Sequence, residues 1–130
     1  MAFYADTSAL VKLVLDEAGT VALHGWVSAA NHAVVSCDLT RTELVRAVRQ
    51  TFPDRAIHAR AVLDAIVLLR VTAAVFDEAA RLEPVGLRSL DALHLAAALS
   101  LGDDLEGLLT YDERLAEAAT RHGVTVVAPR

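Results

Sequence analysis

Residues 87–101 read LRSLDALHLAAALSL. Leu90, Leu93, Leu95, Ala96, Ala97, Ala98, Leu99 and Leu101 leave almost no polar face, so a helix here is buried on most sides. Yet it carries Asp91 and His94, and a carboxylate in so apolar a segment costs several kcal/mol unless something compensates it. Two structural explanations stand beside a functional one. Ser89 as N-cap would place Asp91 in the first turn, where the helix dipole favours a negative charge by about 0.3–1 kcal/mol. Alternatively Asp91 and His94, at i and i+3, form a plain side-chain pair.

Working outward, strands and helices alternate along the whole chain. Residues 3–5 make a short apolar strand that ends in Asp6, and 8–15 follow at helical spacing. A second helix over 20–30 turns at Asn31 and His32 into a buried strand over 33–36. The third helix, 39–51, opens with Thr40-Arg41-Thr42-Glu43, the pattern of a capping box, and Pro53 ends it. Residues 54–67 read as an amphipathic helix with Ile57, Ala61, Val62, Ala65 and Ile66 inward, running into a strand over 67–71. A helix over 72–82 is ended by Pro84 and Gly86 ahead of the central helix. The acidic segment Asp103-Asp104-Leu105-Glu106-Gly107 reads as a solvated turn before a strand over 108–110. Asp112 then starts the helix 113–121, Gly123 caps it, and 125–128 form a last strand. This alternation predicts an α/β domain with a mainly parallel sheet of four or five short strands, and one domain over residues 1–130.

Composition narrows the class. The chain has 130 residues, 55% of them hydrophobic but only 5% aromatic, so Ala, Val and Leu must fill the core. That scarcity of rings argues against an aromatic stacking platform for nucleic acid. The single Cys37 excludes an internal disulfide or a multi-cysteine zinc site, and reads most simply as a small buried hydrophobe. The opening MAFYADTS lacks the features of a leader and no apolar run is long enough to span a bilayer, so a soluble cytoplasmic protein with no membrane partner is expected. The net charge of -5 argues against a general polyanion surface. However, Arg41, Arg46, Arg49, Arg55 and Arg60 make the central third locally basic, either as a solvated helix face or as a set of phosphate contacts.

Four acids then stand at element starts: Asp6 after the first strand, Glu43 in the third helix, Asp91 in the central helix and Asp112 after the fourth strand. Ligands of open parallel sheets bind beyond the carboxyl ends of the strands, where Asp6 and Asp112 fall. Helices entering that same edge aim Glu43 and Asp91 at it. Convergent carboxylates repel by up to about 4 kcal/mol per close pair, and the sole lysine, Lys12, cannot neutralise them all. A hard divalent cation, Mg²⁺ or Mn²⁺, can, and would promote hydrolysis of a phosphodiester. Each acid has a plainer explanation as well: capping box for Glu43, N-cap for Asp112, cap for Asp6. His94 fits a core or supporting position better than a ligand. A phosphoaspartyl enzyme is disfavoured because Ser8 stands where its second Asp is needed.

The runs Phe3-Tyr4-Ala5-Asp6-Thr7-Ser8-Ala9-Leu10, Thr40-x-x-Glu43-Leu44, Ser89-Leu90-Asp91-Ala92-Leu93-His94-Leu95-Ala96-Ala97-Ala98 and Leu109-Thr110-Tyr111-Asp112-x-Arg114-Leu115 together resemble the PIN-domain ribonucleases, more narrowly the VapC toxins of toxin-antitoxin pairs. The resemblance spans the chain in the correct order. It implies a three-layer α/β/α PIN-like fold and an Mg²⁺- or Mn²⁺-dependent endoribonuclease acting on tRNA, rRNA or mRNA. Asp6 and Asp91 match the family's most consistent metal ligands, and Glu43 and Asp112 the second and fourth acids. Thr110 matches a hydroxyl that supports the site by hydrogen bonding, with Ser8 placed to do likewise. A cognate VapB-like antitoxin, an RNA substrate and a homodimer are the implied partners. The competing class is a catalytically silent PIN-like module that binds RNA or protein. Within the enzyme reading, the acidic loop before the fourth strand would repel RNA, leaving the arginine-bearing third and fourth helices as its track.

Overall fold

The computed structural model describes residues 1–29 and 32–130. In chain order these form β1 (Ala2–Ala5), α1 (Thr7–Val14), α2 (Thr20–Ala29), β2 (Val34–Cys37), α3 (Thr40–Thr51), α4 (Ala56–Ala65), β3 (Val67–Leu69), α5 (Ala73–Arg81), α6 (Ser89–Leu99), β4 (Leu105–Leu109), α7 (Glu113–Arg121) and β5 (Val126–Val127). One-turn 3₁₀ segments, Pro53–Arg55 and Gly102–Asp104, precede α4 and β4. The expected turn residue Asn31, and Ala30 at the end of the second helix, lie outside the described residues.

All strand pairings are parallel, in the order β3-β2-β1-β4-β5. The first strand is therefore central, and the chain moves to one side of it for β2 and β3 and to the other for β4 and β5. Successive side chains along a strand serve opposite faces. Tyr4 and Leu108 join one core with Leu95, Ala98, Leu115 and Ala119 from α6 and α7. Ala5 and Leu109 join another with Leu10, Leu23, Leu44 and Leu63 from α1 to α4. The result is a three-layer α/β/α sandwich. Residues Ala92–Ala98 of α6 are buried throughout, as the unbroken apolar run requires. Among the described residues no helix is long and apolar enough to cross a membrane.

Four local expectations need correction. Ser89 is the first residue of α6 and not its cap; Arg88 holds the cap position, with no side-chain bond to the helix. The capping box does not form, because Leu39 is already helical (φ -56, ψ -34) and its carbonyl takes the Glu43 amide at 3.0 Å. Thr40 instead donates to the Cys37 carbonyl at 2.7 Å, which frees the Glu43 side chain. In α4 the 3₁₀ turn at Pro53–Arg55 sets the helix phase so that Ala59 and Leu63 face inward, while Ile57 is 73% exposed. β4 begins at Leu105, inside the segment read as a turn. Gly107 explains the strand there: a Cβ would meet the Thr125 carbonyl at 3.0 Å and the Phe3 ring at 3.2 Å, so only glycine lets the three strands close up.

Candidate active site

The sheet order reverses between β1 and β4, and the ends of these two strands carry Asp6 on one and Thr110 to Asp112 on the other. Asp6 caps α1 and is only 4% exposed. Its Oδ1 accepts from the Ala9 amide at 3.1 Å and from Ser8 Oγ at 2.7 Å, and its Oδ2 accepts from Thr110 Oγ1 at 2.6 Å. Thr110 Oγ1 in turn accepts the Asp112 amide at 3.1 Å, and Ser8 Oγ accepts the Tyr111 amide at 2.9 Å. These bonds fasten the two loops into one rigid edge. Asp112 caps α7, accepting from the Leu115 amide at 3.0 Å with one oxygen.

Asp91, in the first turn of α6, shares an open hollow of about 320 Å³ with Asp112, Arg88 and Arg114. Burial raises its pKa, the charges of Asp112 and Asp6 raise it further, and His94 and Arg88 only partly oppose them. Asp6 is raised as well: burial outweighs the bonds from Thr110, Ser8 and Ala9 and the charge of His94. Asp91 thus feels the charges of the other two aspartates, and Arg88 on the rim offsets them only in part.

Glu43 sits apart from this group. Its Oε1 accepts from Thr7 Oγ1 at 2.8 Å and from His94 Nε2 at 2.7 Å. Burial alone would raise its pKa, but the hydrogen bond and charge of His94 and the bond from Thr7 prevail and lower it. His94 makes no hydrogen bond to Asp91, contrary to the side-chain pair read from their spacing; its Nδ1 meets the Tyr4 hydroxyl at 2.7 Å. Glu43 also forms one wall of an open groove of about 870 Å³, with Arg46, Arg49 and Gln50 further along α3 and Leu90 opposite. Of the five central arginines, Arg46 and Arg49 line this groove, whereas Arg41 pairs with Asp38 at 3.3 Å and Arg55 donates to the Val14 carbonyl at 2.6 Å. Arg60 is exposed on α4. Thr7, which donates to Glu43, and Arg88 and Arg114, which line the hollow of Asp91, are residues to which the sequence alone assigns no role. Arg88 and Arg114 lie three residues before Asp91 and two after Asp112, a signal available in hindsight.

Among the described residues, no three His, Cys, Asp or Glu side chains stand close enough together to hold an ion unaided. Mg²⁺ is typically held by one or two carboxylates with waters and substrate phosphates completing its shell, so an open, all-oxygen, mutually repelling set fits it better than a closed cage would.

A PIN domain family model matches residues 3–121. The chain is 42% identical over 128 residues to Ribonuclease VapC46 of Mycobacterium tuberculosis H37Rv, covering 98% of each chain. It is 38% identical over 130 residues to Ribonuclease VapC47 of Mycobacterium tuberculosis CDC 1551, covering 97% of this chain and 96% of the other. The crystal structure of Mycobacterium tuberculosis VapC20, a Sarcin-Ricin loop cleaving toxin, superposes with a TM-score of 0.78 at 18% identity over 98% of this chain and all of that one. The last of these shows the fold, and the first two the lineage. The chain belongs to the PIN-domain family, as a close relative of the VapC ribonuclease toxins.

Proposed function

We propose that this chain is the toxin of a VapBC-type toxin-antitoxin pair, an Mg²⁺- or Mn²⁺-dependent endoribonuclease. The observation that carries the reading is the convergence of Asp6 and Asp112 at the sheet's switch point with Asp91, which is held against the charges of both. When bound there, the cation neutralises carboxylates and phosphodiester and makes water nucleophilic at neutral pH. Asp6 and Asp91 are the principal ligands, and Glu43 and Asp112 complete the shell or orient its waters.

Each residue's contribution follows from its contacts. Ser8 donates to one oxygen of Asp6 and Thr110 to the other, which fixes the orientation of the carboxylate. Thr7 and His94 hold Glu43 at the mouth of the groove. Arg46 and Arg49, about one and nearly two turns beyond Glu43, offer two phosphate contacts along the same groove. RNA enters along α3 toward the aspartates, a narrower track than the third and fourth helices together. The same acid edge would receive a basic residue from a VapB-like antitoxin, by charge complementarity. The half-exposed Phe76 on α5 is apolar surface for a second copy in a homodimer.

The test is cleavage of a pool of tRNA, rRNA and mRNA by antitoxin-free protein with Mg²⁺, with Mn²⁺ and with chelator, beside Asp6→Asn and Asp91→Asn. Asparagine at position 6 keeps an acceptor for the Ala9 amide, so loss of cleavage there reports the charge and not the helix cap. Discrete, metal-dependent products absent from both variants establish the nuclease. Wild type and variants that behave alike would establish the silent binding module instead.

A further inference from the structure

His94 has no place in the four-acid reading, yet the fold spends much on it. It is 2% exposed in α6, whose residues Ala92–Ala98 are buried throughout, with Leu93 and Leu95 on either side. An imidazole there is costly unless both nitrogens are paired. Both are. Nδ1 meets the hydroxyl of Tyr4, which is itself fully buried in the central strand, and Nε2 meets Glu43 Oε1. A polar chain therefore runs from β1 through α6 on one face of the sheet to α3 on the other.

The Glu43 end of that chain is specific. Oε1 takes donors from two different helices, Thr7 of α1 and His94 of α6. Two donors converging on one oxygen define the carboxylate plane and leave the other oxygen for the groove. An ionised carboxylate can only accept, so Nε2 carries a proton whatever the state of Nδ1. The contact is thus a donor-acceptor bond in either form of the ring.

We propose that His94 is a positioning residue: anchored by Tyr4, it locks the rotamer of Glu43 so that one carboxylate oxygen is presented to the metal and RNA side of the groove. This rests on the metal-nuclease reading of the site. Groups that orient the partners of a metal shell typically affect metal affinity or activity by about 10- to 100-fold. A histidine that merely filled the core would affect stability alone.

The experiment compares His94→Met, His94→Gln and His94→Asn in the antitoxin-free protein, with crystal structures and Mn²⁺ affinity by electron paramagnetic resonance beside RNA cleavage. Gln presents its amide near the Nε2 position and Asn near Nδ1. Expected are a Glu43 side chain spread over rotamers and Mn²⁺ binding weakened by about 10-fold or more in His94→Met, with His94→Gln recovering most of the loss. Glu43 fixed as in wild type and unchanged Mn²⁺ affinity in His94→Met would overturn the proposal. If His94→Met does not fold, the Gln and Asn variants decide: positioning requires Gln to surpass Asn in Mn²⁺ affinity, and parity overturns it. A wild type that cuts no RNA while Glu43 still wanders in His94→Met would sink the nuclease reading and leave the positioning role standing.

Discussion

Thr110 Oγ1 donates to Asp6 Oδ2 at 2.6 Å across 104 residues of sequence, and the same hydroxyl oxygen accepts the Asp112 amide at 3.1 Å. One hydroxyl therefore orients the carboxylate of Asp6 and ties down the backbone that carries Asp112. Thr110→Val keeps the shape and removes both bonds. Leaving a buried carboxylate oxygen short of a donor costs about 1–3 kcal/mol, which urea denaturation will read. RNA cleavage should fall by about 10-fold or more. Thr110→Ser, which keeps the hydroxyl, should retain most of both.

Asp91 is held against the charges of Asp112 and Asp6. Asp91→Asn relieves that repulsion, so the metal-free protein should melt higher than wild type, by about 2–4 °C. The order should invert in saturating Mg²⁺, because wild type gains binding free energy that the variant forfeits. Thermal melts with chelator and with Mg²⁺ check both halves.

The His94–Glu43 pair makes metal-free stability depend on pH. Burial disfavours the imidazolium, but the bonds and charges of Cys37 and Glu43 outweigh it and push its pKa up from 6.5 to about 10. The 2.7 Å contact with Glu43 is the firmer of the two, since Cys37 Sγ stands 3.9 Å away. A base whose pKa rises on folding lends stability that is complete below its unfolded value and fades toward the folded one. Melting temperature in chelator should therefore decline between pH 6.5 and about 10, and His94→Gln should flatten that decline. Glu43 shifts the other way, so its share is complete above 4.5 and fades as pH falls. Asp6 and Asp91, both raised from 3.8, contribute the opposite slope in acid, losing stability as pH rises through their shifted values.

Arg46 and Arg49 line the groove, whereas Arg41 is engaged with Asp38 at the surface. With Asp6→Asn as a non-cleaving background, Arg46→Ala and Arg49→Ala should each weaken RNA binding. Each should also flatten the dependence of log K on log salt by about 0.7, the loss of one single-strand phosphate contact. Arg41→Ala should leave the slope unchanged. Fluorescence anisotropy at several salt concentrations measures all three.

Sequence made the α/β alternation legible because each strand is a short apolar run and each helix keeps its period. Asp6 and Asp112 were legible as well, since a polar residue between an apolar strand and a helix has few reasons to be there, and both do cap helices. Glu43 was harder. Its local pattern pointed to a capping box, and only the helical conformation of Leu39 shows why that box stays open. His94 was visible as an anomaly in an apolar helix, but its partners Glu43 and Tyr4 lie 51 and 90 residues away. Spacing within one helix offered Asp91 instead. The start of β4 was hidden because Asp103, Asp104 and Glu106 look like a solvated loop, while the parallel pairing with β1 that recruits Leu105 is a property of the sheet.

The central position of β1 has a consequence for biosynthesis. β1 waits long for its second neighbour, because one of its edges is filled only by β4, and Ala5 pairs with Leu109 far along the chain. Such distant pairings are the slow steps of folding. Until β4 and the residues after it have emerged, a growing chain carries Asp6 with neither Thr110 to orient it nor Asp112 beside it. The acid edge therefore comes into being only after β4 and Asp112 have been made, and a product interrupted before them holds only its scattered parts.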